Sequence, residues 1–95
     1  MKICDFILQT IGDKLISCEY TMSYGNKGSH KKIRGIVISC TDIMYGEKYI
    51  RLNTEITLQK ENGTTQSVNV RNIINGSLKV HSENERLLFK ISNNL

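Results

Sequence analysis

Ninety-five residues with a formal net charge of +4 fit one domain with one modest core, which leaves little room for a deep, water-excluding active site. The chain has no Ala, Pro or Trp, which removes the best helix former, and its abundant Ile suits half-buried strands. A hydrophobic content of 39% with mixed charge argues against a disordered chain, while the modest basic excess admits either nucleic acid or an acidic protein as partner.

Ile3, Phe6, Ile7 and Ile11 recur at helical spacing and predict a short amphipathic helix over residues 1–12, with Gly12 as its stop. Residues 14–22 alternate, placing Ile16, Cys18, Tyr20 and Met22 on one face of a strand. The Gly-, Asn- and Ser-rich segment 23–30 reads as a loop. A second strand follows over 31–40, with Ile36, Ile38 and Cys40 on one face and Ile33 and Val37 on the other. Apolar residues on both faces require cover on both sides, from the N-terminal helix, a second copy or a partner.

Residues 42–47 read as a turn. Residues 48–60 form the clearest strand, with Ile50, Leu52, Ile56 and Leu58 inward and a bend expected at Asn53-Thr54. Asn62-Gly63 between alternating runs predicts a type I′ hairpin turn. The returning strand, 64–71, turns Val68 and Val70 inward. Asn75-Gly76 marks another turn before a last short strand, 77–81, with Leu78 and Val80 inward. Ser82 to Glu85 matches a helix capping box, but Leu87, Phe89 and Ile91 also alternate, so 82–95 is a helix or a strand, with helix favoured.

The sum is a mainly β (α+β) single domain. A five-stranded antiparallel small barrel or strongly bent sheet over 14–81 carries an N-terminal helix and a short C-terminal element. Closure would remove the exposed strand edges.

Three stretches, Ile16-Ser17-Cys18-Glu19-Tyr20, Gly46-Glu47-Lys48-Tyr49-Ile50-Arg51-Leu52 and Ser67-Val68-Asn69-Val70-Arg71-Asn72-Ile73-Ile74, resemble strands of small SH3-like or Sm-like barrels, in particular the WYL domain of bacterial regulators. The likeness covers about two-thirds of the chain. It departs in lacking the Trp, in following Tyr20 with Thr21 and in carrying no helix-turn-helix. The resemblance implies a barrel that senses nucleic-acid or nucleotide ligands through basic residues, of which Arg51 and Arg71 carry over. Because Sm-like barrels often form rings, it also implies a possible homo-oligomer.

Candidate chemistry is sparse. His30 and His81 are far apart and the cysteines are scattered, so no metal site is expected. No phosphate-binding glycine motif appears, and no cofactor is expected. Ser29-His30 adjoin in a glycine loop, but adjacency is not triad geometry, and no enzymatic activity is expected. Cys4, Cys18 and Cys40 have no C-x-x-C spacing and read as reduced thiols, with one disulfide plus a spare thiol as the alternative. No signal peptide is recognisable and no apolar run approaches the roughly 18 residues of a membrane span, so a cytoplasmic protein without membrane contact is expected.

The most informative feature is a basic hairpin loop. No acid lies between Glu19 and Asp42, whereas Lys27, His30, Lys31, Lys32 and Arg34 all do. Such a cluster attracts phosphates, and Tyr24 and Tyr49 beside it would supply stacking surfaces. The alternative is a protein–protein interaction module. Its anchors would be Ile43, Met44 and Tyr45, and a phage or mobile-element accessory protein acting on a host protein fits the small size and the Ile-, Asn- and Lys-rich composition. The two readings stand side by side at this point.

Overall fold

The structure is a computed structural model and describes residues 3–21, 30–45 and 51–93. In chain order the elements are α1 (Ile3–Ile11), β1 (Leu15–Thr21), β2 (His30–Tyr45), β3 (Arg51–Gln59), β4 (Thr65–Asn69), a 3-10 turn (Val70–Asn72), β5 (Lys79–Val80) and α2 (Glu83–Asn93). The strands make one antiparallel sheet in the order β4-β3-β2-β1-β5. No ladder among the described residues joins β4 to β5, so the sheet is bent and open. After β4 the chain crosses to the far edge of β1, where Tyr20 bridges Ile73 and the Ile74 N–H donates to the Glu19 carbonyl at 2.8 Å.

The central strand β2 organises both sides of the sheet. Ile33 and Val37 bury on one face with Ile16, Cys18, Ile56, Leu58 and Val68, under Ile7 and Ile11 of α1. Ile36 buries on the other face with Leu15, under Phe89 of α2. Between Val37 and Ser39 the register against β3 slips by one residue. Such a bulge reverses the side-chain alternation beyond it. The expected shared face of Ile36, Ile38 and Cys40 is therefore broken: Ile38 is the extra residue and is exposed, while Cys40 packs with the Ile33 and Val37 side. The irregularity expected at Asn53-Thr54 falls on β2 instead, and the turn expected over 42–47 is strand as far as Tyr45.

α1 also differs in its buried stripe. Cys4 and Ile11 are buried and Ile7 half-buried, whereas Ile3 and Phe6 are exposed. The helix is rotated by about one position from the expected face, so that a thiol faces β2. Gly12 leaves room for the Leu8 carbonyl, where a Cβ would collide. The left-handed residue that ends the helix is Asp13, with φ of 60°, a conformation aspartate tolerates better than most residues.

Both Asn-Gly turns form, with changed geometry. Of Asn62 and Gly63 only Gly63 has positive φ, at 84°, and its N–H donates to the Lys60 carbonyl. A type I′ turn needs positive φ at both residues, so this is a three-residue loop in which the left-handed glycine follows a type I turn. Asn62 Oδ1 accepts from the Thr64 N–H and hydroxyl, which fixes the loop. The second turn leads into β5, which is only two residues long. Leu78 and Val80 are exposed there, not inward, because β5 is a sheet edge.

The C-terminal segment is a helix. Ser82 Oγ accepts from the Glu85 N–H at 3.2 Å, as the capping box requires. Phe89 is its buried anchor. Asp13 holds it from the turn after α1: Asp13 accepts from Arg86 through both its carbonyl and its carboxylate, and from Lys90 Nζ at 3.1 Å. These hydrogen bonds hold the Asp13 carboxyl below the usual carboxylate range.

Two outcomes follow for α2. Phe89→Ala should cost about 3–5 kcal/mol in urea unfolding, by loss of transfer free energy and creation of a cavity. Asp13→Asn keeps the left-handed backbone but loses the charge. A depressed carboxyl contributes stability that is complete above the ordinary aspartate range and is lost as pH falls through the folded value. Asp13→Asn should therefore lower the Tm by roughly 2–5 °C at pH 7, and the gap should narrow as pH falls below the ordinary aspartate range in thermal unfolding by circular dichroism.

Candidate nucleic-acid interface

β1 runs between β2 and β5, and residues paired across strands point to the same face. The register sets Thr21, Glu19, Ser17 and Leu15 against His30, Lys32, Arg34 and Ile36. On its other side Ser17 faces Lys79 of β5. One row thus reads Lys79, Ser17, Arg34 across three strands, with the outer two backbones roughly 10 Å apart. His30, Lys32, Arg34 and Lys79 are all exposed on this face, the one that α2 covers further along. An open concavity of about 470 Å³ lies here, with Ser17, Glu19, Lys32, Arg34 and Ser77 on its walls.

Lys79 was not singled out from the sequence. Its place in the alternation opposite Leu78 and Val80 hinted at its face, but only the pairing of β5 with β1 brings it to Arg34.

The cations on this face have loose acidic neighbours. Lys32 Nζ lies 3.8 Å from Glu19 Oε1 with 84% of its side chain exposed. Arg34 sits over the Phe89 ring at 5.4 Å and 3.9 Å from Glu85 Oε2. Exposed pairs at such distances are weak and solvent-screened, so a phosphate can compete for both cations.

The structure divides the remaining expected residues. Lys31 pairs with Tyr20 and so points to the α1 side. Arg71 is exposed in the 3-10 turn, flanked by Val70 and Ile73, which pack on the α1-side core. Arg51 begins β3 opposite Tyr45, and Met44 and Ile43 continue that ladder at the opposite end of β2 from Arg34. Lys27, Tyr24 and Tyr49 lie outside the described residues.

Ser17, His81 and Glu85 meet although 64 positions separate the first two. His81 Nε2 is 3.0 Å from Ser17 Oγ, and Nδ1 is 2.9 Å from Glu85 Oε2. The carboxylate favours the Nδ1–H tautomer, leaving Nε2 to accept from the serine. The order resembles a nucleophile, base and orienting acid, but acyl transfer also needs free donors for an oxyanion. Ser17 lies mid-strand between two ladders, and the nearby Glu19 N–H is taken by Ser77 Oγ. The three groups act as a clamp that fastens the first turn of α2 to β1.

On the opposite face, Cys4 of α1 and Cys40 of β2 bring their sulfurs to 2.7 Å. Burial, aided by hydrogen bonding with Cys40 and then Asp42, pushes the Cys4 thiol up to about 12. Burial also raises Cys18. Asp42 accepts from the buried Thr54 hydroxyl at 2.7 Å. Among the described residues no group of three or more His, Cys, Asp or Glu could hold a metal ion, and no helix is long and apolar enough to cross a membrane.

No protein-family model, curated protein or solved structure matches the chain.

Because its pair with Glu19 is exposed, Lys32→Ala should change unfolding free energy by less than about 0.5 kcal/mol in urea titration. Lys32 can then be altered without disturbing the fold.

Proposed function

We propose that the chain is a binding module that holds a nucleic acid by its phosphate backbone on the outer face of β2, β1 and β5. The observation that carries this reading is that Lys32 and Arg34 of one strand, on the wall of the concavity beside Ser17, share a sheet face with Lys79 of another. Cations spaced across a sheet match a run of phosphates better than a single small anion. The net charge of +4 adds long-range attraction. A cytoplasmic setting, where nucleic acid is at hand, accompanies this reading.

A second reading rests on a separate observation. Ile3, Phe6 and Leu8 of α1 and Leu87, Leu88 and Ile91 of α2 are all exposed. Apolar side chains grouped on helices mark protein-docking surfaces, which supports a protein–protein interaction module, with a host protein or a second copy as partner.

Fluorescence-anisotropy titration with labelled DNA and RNA at two salt concentrations tests the first reading. Binding should fall with salt. Lys32→Ala/Arg34→Ala/Lys79→Ala should weaken it at least about tenfold and flatten the salt slope by roughly 2–3. Glu19→Gln should tighten it, and Lys31→Ala/Arg71→Ala should leave most of it intact. Wild-type affinity in the triple variant would move the interface elsewhere. Absence of binding at low salt would favour the protein-docking reading.

A further inference from the structure

Two of the three thiols are placed together by the fold. Cys4 stands in the first turn of α1, is buried and faces the middle of the sheet. Cys40 lies just past the β2 bulge, and the slip in register is what turns it towards α1. Their sulfurs are 2.7 Å apart across 36 positions of sequence, while Cys18 lies in the buried core. Besides Cys4, Ile7 and Ile11 of α1 pack on the sheet, whereas Ile3, Phe6 and Leu8 face outward. A covalent link at Cys4 would fasten the start of α1, where Ile3 and Phe6 face outward, to β2.

We propose that Cys4 and Cys40 form a reversible disulfide that fastens the start of α1 to β2, and that a low-molecular-weight disulfide such as oxidised glutathione is the co-reactant. The thiolate of Cys40, the more exposed of the two, attacks one sulfur of the small disulfide. That step forms a mixed disulfide and expels one small thiolate. The Cys4 thiolate then attacks the Cys40 sulfur, closes the protein disulfide and expels the second small thiolate. The two cysteines are oxidised, the small disulfide is reduced to two thiols, and the two protein protons end on those thiols. The buried, neutral Cys4 thiol makes closure slow at neutral pH and faster as pH rises. Because the bond closes a long loop, it restricts the unfolded chain and stabilises the fold.

The full chain, reduced and then equilibrated over a series of reduced-to-oxidised glutathione ratios, tests this. After thiol alkylation, intact mass should show the wild-type chain losing two hydrogens, with one alkylated cysteine. Proteolysis should yield a peptide pair joining Cys4 to Cys40. The oxidised form should melt roughly 10 °C or more above the reduced form. Cys18→Ser should behave as wild type, whereas Cys4→Ser and Cys40→Ser should keep a reduced-like Tm at every ratio. Three alkylatable thiols at all ratios, accumulation of glutathione adducts alone, or a bridge containing Cys18 would each overturn the proposal. Peptide mapping uses the unaltered chain, so the conclusion stands even where a serine variant folds poorly.

Discussion

Strand β2 is apolar on both faces as it crosses the middle of the sheet, and the rest of the fold answers that constraint. Ile33 and Val37 need cover on one side and Ile36 on the other. A small antiparallel sheet usually leaves one face to water. Here each face receives one short helix. α1 lies over the larger core and α2 over the smaller one. Neither helix is long enough to persist alone in water, so each exists because the sheet offers it an apolar patch.

The bulge between Val37 and Ser39 refines this arrangement. One extra residue exchanges the faces of everything beyond it. Without the slip, Ile38 would pack inward and Cys40 would point away from α1. With it, Ile38 is left outside and the two thiols meet. The same slip sets Asp42 beside Thr54, so that a partly buried carboxylate has a hydroxyl partner.

The outer face is built on a different logic. Polar side chains there serve first to hold α2: Ser17, His81 and Glu85 make one clamp, and Asp13 with Arg86 and Lys90 makes another. The basic residues nearer the β1–β2 hairpin lie beyond the reach of α2 and stay open to solvent. Structural fastening and exposed charge therefore share one sheet surface, separated along the strands. Arg34 sits at the border, where its guanidinium covers Phe89 and also faces the concavity.

Much of this was legible in the sequence. Alternation gave the strands, helical spacing and a capping box gave the two helices, and the Asn-Gly pairs gave the turns, because these features depend on neighbours along the chain. The bulge was not legible, since a one-residue slip arises from how β2 fits β3 and leaves no mark in β2 alone. For the same reason the rotated face of α1, the exposure of Leu78 and Val80 on an edge strand, and the turn type at Asn62-Gly63 escaped local reasoning. The basic stretch around Lys32 and Arg34 was visible as charge, but its partner Lys79 and the turning of Lys31 to the other face were decided by strand pairing. Local pattern fixed what each segment would become. Register and packing, which act between residues far apart in sequence, decided which side chains would meet.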